Sequence, residues 1–200
     1  SFRKKKLENY LKIEGLENLK KIRNSEKPAV FISGHFNNFE LMAMHLEKSN
    51  INLAAVYRPL NNKFLNPVME RIRKKYICKK QIKKGISGTK ELLKEFKNGT
   101  SIALMIDQRV SEGIKSELFG QKALTTTIPA QFIKKFDTEV VPIYIERLID
   151  DTFRLKILNA VKFSKNETTG DITHKLNKIL EKMIMFNPDQ WIWTHNRWKV

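Results

Sequence analysis

The residues best suited to chemistry in this 200-residue chain are an imidazole and a carboxylate five positions apart, His35 and Glu40, within Gly34-His35-Phe36-Asn37-Asn38-Phe39-Glu40. A carboxylate bonded to one ring nitrogen fixes the tautomer of a histidine and leaves the other nitrogen free to act as a base. On a continuous helix five residues rotate the side-chain direction by about 140°, which would separate the two groups. They meet only if His35 lies in a turn and Glu40 in the first turn of the helix that follows. The start of that helix also offers unpaired backbone N–H groups to an anion or a developing oxyanion. Each residue has a plainer use as well. With Asn37 as N-cap, Glu40 falls at the third helical position, where a capping-box carboxylate belongs, and His35 can be a packed histidine.

The elements that must position this pair follow from the apolar pattern. Pro28–Ser33 reads as a short buried strand, and Phe39, Met42, Ala43 and Leu46 recur at helical spacing after it. Ile51–Tyr57 has strand length, and Asn66-Pro67 opens a helix as N-cap and first-turn proline. The alternation continues with a helix from Ser87 to Lys97 closed by Asn98-Gly99, a strand Ser101–Ile106, a helix after Thr127 with Pro129 in its first turn, and a strand Val140–Ile145. Phe153–Leu158 alternates as a half-buried strand, and Ile172, Leu176, Ile179, Leu180 and Met183 mark one face of a long helix. The chain opens on a charged amphipathic stretch carrying Leu7, Leu11, Leu16, Leu19 and Ile22. Strands alternating with helices predict an α/β domain, 1–200, with a mostly parallel central sheet and helices on both faces. In such sheets ligands bind beyond the carboxyl ends of the strands, where His35 is expected.

Composition sets the outer bounds. The chain is 41% hydrophobic and 30% charged, enough for a buried core, and 38 Lys and Arg against 21 Asp and Glu leave a net charge of +17. Such a surface attracts nucleic acid, anionic membrane or an acidic protein. Eight of the bases fall between Arg71 and Lys84 with no acid among them. A single cysteine, Cys78, excludes an internal disulfide and a multi-cysteine zinc site. It lies among lysines that would lower its pKa, but no partner histidine is identifiable. His45 and His174 sit in helical patterns as surface or packing residues. Gly85-Ile-Ser-Gly88 matches the short GxxG loop of some RNA-binding modules, and Ser87 as the cap of the next helix explains it equally well. Trp191, Trp193 and Trp198, with Phe186, read either as core closure or as a membrane-interface anchor. No apolar run approaches the ~18 residues of a membrane span.

Several blocks occur in a fixed order along nearly the whole chain. They are Gly34-His35-Phe-Asn-Asn-Phe-Glu40, Val56-Tyr57-Arg58-Pro59-Leu60-Asn-Asn, Met105-Ile-Asp107-Gln108, Phe119-Gly120-Gln-Lys-Ala-Leu-Thr125 with Pro129-Ala130, and Trp193-Thr-His195-Asn-Arg197-Trp198. Together they resemble the late, lauroyl/myristoyl-type acyltransferases of lipid A biosynthesis, within the wider His-x4-Asp/Glu, glycerolipid-acyltransferase-like group. The resemblance implies transfer of a fatty acyl chain from an acyl carrier protein thioester, or from acyl coenzyme A, to a hydroxyl of a lipid A precursor. It implies His35 as general base oriented by Glu40, and Arg73 and Asp107 at positions matched to the family's functional arginine and aspartate, with Arg71 adjacent to the former. Arg58 is a further substrate-binding candidate, or a structural arginine paired with a carboxylate.

No metal or organic cofactor is expected, because the driving force resides in the thioester. The expected partners are acyl carrier protein, a lipid A precursor and an anionic membrane surface, with no nucleic acid, at the cytoplasmic face of a bacterial inner membrane. Members of this group usually carry an amphipathic or membrane-spanning N-terminal segment. The chain starts too late to include one, so it is expected either to be a trimmed fragment or to hold the membrane by charge and aromatics alone. Two rival readings remain: a basic nucleic-acid-binding module, and the same chemistry with a lysophospholipid or other glycolipid acceptor.

Overall fold

In a computed structural model, residues 9–199 are described; Leu7 lies outside them. The strands are β1 (Leu11–Glu14), β2 (Val30–Ser33), β3 (Leu53–Tyr57), β4 (Lys80–Lys83), β5 (Ser101–Met105), β6 (Ile114–Leu118), β7 (Gln121–Thr125), β8 (Val140–Arg147) and β9 (Phe153–Ile157). The helices are α1 (Leu16–Ser25), α2 (Glu40–Lys48), α3 (Leu65–Tyr76), α4 (Ile86–Lys97), α5 (Ile128–Phe136) and α6 (Thr169–Ile184). Seven strands form one sheet in the order β1-β9-β8-β2-β5-β3-β4, and β6 and β7 form a separate antiparallel hairpin. The strands from β8 to β4 in this order all run parallel, while β9 is antiparallel to β8. The β8–β9 link, Leu148–Thr152, is too short for a crossover and can only reverse the chain.

Burial explains the sequence pattern. All four residues of β2 and all but the last of β8 are buried. Because successive side chains point to opposite faces, a fully buried strand has both faces covered, and its sequence is nearly continuously apolar. Phe31, Ile102, Val140 and Val141, each at 2% exposure or less, form the centre of the core.

The expected alternation is present, and several local expectations are corrected. The amphipathic start is divided between β1, which carries Leu11, and α1, which buries Leu19 and Ile22. The break falls at Gly15, with φ of 80°, where a Cβ would lie 2.0 Å from the Ile157 carbonyl oxygen. Helix α3 begins at Leu65, before Asn66; its first N–H groups are taken by Asn62, whose Oδ1 accepts from Phe64 at 2.9 Å and Leu65 at 3.1 Å. The Arg71–Lys84 run, read only as charge, contains strand β4, anchored by the buried Ile82. Gly85-Ile-Ser-Gly88 is the start of α4, with Ser87 inside the helix and not capping it. Gly88 is required by packing, since a Cβ there would lie 1.8 Å from the Lys83 carbonyl oxygen.

Candidate active site

His35 sits two residues past the end of β2, in the turn before α2. Asp107 sits two residues past the end of β5. These strands pair in parallel with Ser33 opposite Met105, and the ladder extends as the Ile106 N–H donates to the Ser33 carbonyl at 2.9 Å. Equal offsets from a parallel register place the two side by side. The His35 backbone N–H donates to Asp107 Oδ2 at 2.7 Å, and His35 Nδ1 lies 2.7 Å from Oδ1. An ionised carboxylate can only accept, so Nδ1 carries the proton and Nε2 holds the free lone pair.

A third donor, Trp191 Nε1, reaches Asp107 Oδ2 at 2.9 Å. Trp191 arrives on a C-terminal segment that runs against the His35 turn: the Asn37 N–H donates to the Gln190 carbonyl at 2.9 Å and the Ile192 N–H to the His35 carbonyl at 3.1 Å. The turn is thus held between β5 and the tail. Phe36, fully buried, anchors it from below against the Tyr144 ring.

Asp107 is 3% exposed. Burial alone would raise its carboxyl pKa, but the hydrogen bonds and charge of His35, with Trp191, outweigh burial and hold it below the usual carboxylate range. The acid gripping His35 is therefore Asp107, and the expected His35–Glu40 pairing is corrected. Glu40 is the first residue of α2, preceded by Phe39 in helical conformation, and Asn37 at φ of 33° makes no cap. Glu40 is accordingly neither a capping-box residue nor the partner of His35. It accepts from Arg73 Nε on α3 at 2.8 Å, and that guanidinium also lies 6.0 Å from the centroid of the Tyr57 ring. Asp107, expected as a substrate contact, stands behind His35 with its oxygens already engaged.

His35, Glu40, Arg58 and Arg73 line a cavity of about 450 Å³. Phe39, Ala43, Ala55, Val56, Leu104, Met105 and Ile128 provide its apolar lining, and Lys84, Arg109 and His195 its remaining basic groups. Arg58 is exposed and has no carboxylate partner among the described residues, so the structural pairing considered for it is not found. His195 accepts from the Arg109 N–H through Nε2 at 2.9 Å, and burial lowers its pKa, with Arg197 adding to the effect and Asp107 opposing it.

Arg197 is fully buried, donating to the Leu124 carbonyl at 2.8 Å and to Thr125 Oγ1 at 2.7 Å. It ties the tail to the β6–β7 hairpin. Trp191 closes the core, whereas Trp193 is 53% exposed. Cys78 is buried with its thiol pushed up to about 12, by burial first and then by the Glu47 carboxylate, so the lowering expected from the nearby lysines is corrected. Among the described residues no cluster of metal-ligating side chains occurs, and no helix is long and apolar enough to cross a membrane.

An imidazole on a buried carboxylate, beside a greasy cavity with a basic rim, narrows the field to families with such a site, and the sequence matches the bacterial lipid A biosynthesis acyltransferases over residues 1–200. The chain belongs to this family. It is 24% identical over 202 residues to the lipid A biosynthesis palmitoleoyltransferase of Escherichia coli (strain K12), a match covering 98% of the chain and 63% of that protein. A lipid A biosynthesis acyltransferase of Shigella flexneri matches to the same extent. The chain therefore spans under two thirds of the length of these relatives. Its fold resembles that of PlsC, the 1-acyl-sn-glycerophosphate acyltransferase of Thermotoga maritima, with a TM-score of 0.56 and 18% identity over 94% of this chain and 76% of that one.

Within this family fold, residue-by-residue reasoning missed Trp191, His195 and Arg109 as parts of the site. Trp191 and His195 lie in or beside the tail block, but nothing local in the sequence connects them to residues more than eighty positions earlier.

Proposed function

We propose that this chain transfers a fatty acyl group from an acyl carrier protein thioester to a hydroxyl of a lipid A precursor, with His35 as general base oriented by Asp107. The observation that carries the proposal is the His35–Asp107 pair, whose free Nε2 belongs to a residue lining the 450 Å³ cavity. Nε2 takes the proton of the acceptor hydroxyl as its oxygen bonds to the thioester carbonyl carbon. Asp107 stabilises the resulting imidazolium. The tetrahedral intermediate then collapses, the carbon–sulfur bond breaks, and the imidazolium returns the proton to the departing thiolate. A base so placed supplies about 10²–10⁴-fold, leaving the rest to orientation and electrostatics.

The apolar lining suits an alkyl chain, at about 0.8 kcal/mol per buried methylene. Arg58, Arg73, Lys84 and Arg109 against the single acid Glu40 suit a phosphorylated acceptor, an acidic carrier protein and an anionic membrane at the cytoplasmic face of the inner membrane. The thioester supplies the driving force, so no metal or organic cofactor takes part. The test is incubation of the protein with a radiolabelled acyl carrier protein thioester and a lipid A precursor, with acyl coenzyme A and a lysophospholipid as alternative donor and acceptor. Label should pass to the precursor and be lost with His35→Ala; undiminished transfer by that variant overturns the proposal.

A further inference from the structure

Helix α3 has no buried residue. Leu65, Val68, Ile72 and Tyr76 are all exposed, and at about 100° per residue they fall within an arc of roughly 80°. One flank of this stripe is the face that meets the body through Arg73, bonded to Glu40, and Ile77, both lining the cavity. The other flank is basic, with Lys75 and Arg71. Phe64, immediately before the helix, is 90% exposed, and Ile86 at the start of α4 is 84% exposed. These two follow the carboxyl ends of the parallel strands β3 and β4, on the same rim of the sheet as His35.

Between residues 61 and 90 there are ten Lys and Arg and one acid, Glu70. Glu70 is itself occupied by Tyr57 and Asn66 at 2.6 and 2.7 Å. Among the described residues Lys63, Arg71, Lys74, Lys75, Lys84 and Lys90 have no carboxylate partner. Unpaired cations alone would suit any acidic surface. A continuous stripe of large apolar side chains bordered by them is the pattern of a helix lying in a bilayer interface. An apolar helical face left this exposed among the described residues marks an interaction surface.

We propose that the apolar stripe of α3, with Phe64 and Ile86, inserts into an anionic lipid bilayer and holds the cavity mouth at the membrane surface. The inference deepens the acyl-transfer proposal and rests on it for its purpose, while its test is independent of catalysis. Flotation with phosphatidylglycerol/phosphatidylethanolamine vesicles should recover the protein; phosphatidylcholine vesicles should not. The triple variant Leu65→Ser, Val68→Ser, Ile72→Ser and the double variant Arg71→Gln, Lys75→Gln should each weaken vesicle binding by about tenfold or more. Because these side chains are exposed, both variants should retain the wild-type melting curve.

A nitroxide on Val68→Cys should be shielded from an aqueous relaxation agent by vesicles, whereas one on Lys48→Cys, at the opposite rim, should not; the buried Cys78 does not compete for label. Binding that survives the serine substitutions, an exposed label at position 68, binding to an acidic carrier protein in place of vesicles, or a lipid-free dimer closed over the stripe would each overturn the inference. His35→Ala should bind vesicles as wild type does, so failure of acyl transfer and failure of docking are separately visible.

Discussion

Two carboxylates border the candidate site, and their surroundings differ sharply. Asp107 is 3% exposed and receives three hydrogen bonds, two from His35 and one from Trp191. The Glu40 side chain is 31% exposed and pairs with Arg73 across the seam between α2 and α3. A buried anion saturated with donors is rigid and orients whatever it touches, whereas a partly solvated ion pair is screened and adjustable. The contrast teaches that proximity in sequence to a histidine does not decide which acid it pairs with. Asp107 acts on the imidazole, while Glu40 holds a guanidinium at the cavity wall.

The largest effect that would test this contrast is expected from Asp107→Asn. An asparagine presents an N–H₂ to at least one of the three donors and cannot stabilise an imidazolium. Acyl transfer should fall by about 10²–10⁴-fold, and urea denaturation should show a loss of about 1–3 kcal/mol from the donors left unsatisfied. Retention of near wild-type transfer would erase the distinction between the two acids.

Next come Glu40→Gln and Arg73→Gln, each expected to lower transfer by about ten- to a hundredfold. Their double variant should be little worse than either alone, since the two act as one unit. Fully multiplicative losses in a double-mutant cycle would show that they work separately.

A smaller effect is expected from Trp191→Phe, which keeps the packing ring and removes one donor from Asp107. Transfer should drop by about three- to tenfold, with roughly 1 kcal/mol of stability lost.

The smallest effect concerns pH. Because the folded-state pKa of Asp107 is depressed, its contribution to stability is fully present above the ordinary aspartate value of about 4 and is lost as pH falls through the lower folded value. The stability gap between wild type and Asp107→Asn, followed by urea titration, should therefore be constant from neutral pH to about 4 and narrow below it. A gap that closes already near pH 6 would contradict an ionised, donor-saturated Asp107.

Much of the scaffold is legible in the residues. Val30–Ile32 and Val140–Ile145 are continuous apolar runs because they are buried on both faces, and α6 shows its buried stripe at helical spacing. The less legible elements are the edges. Lys80–Lys83 is half charge, since an edge strand buries little, and the β6–β7 hairpin turns on Phe119-Gly120 with both residues at positive φ, a turn without the usual Asn-Gly signal. In the site, His35 is legible as a histidine at a strand-to-helix turn, and Asp107 as the end of the next central strand. Their pairing is not, because it depends on β2 lying beside β5 with β3 and β4 outside them.

Local chemistry along the chain thus determined the α/β alternation, the basic run and a histidine at the carboxyl-end rim of the sheet, since burial periodicity and turn preferences act over a few residues. The tertiary structure alone decided which carboxylate, which indole and which arginine surround that histidine. Those choices follow from strand order and register across 72 and 84 positions of chain, and strand order is set by the packing of the whole sheet and its helices, which no short stretch of sequence encodes.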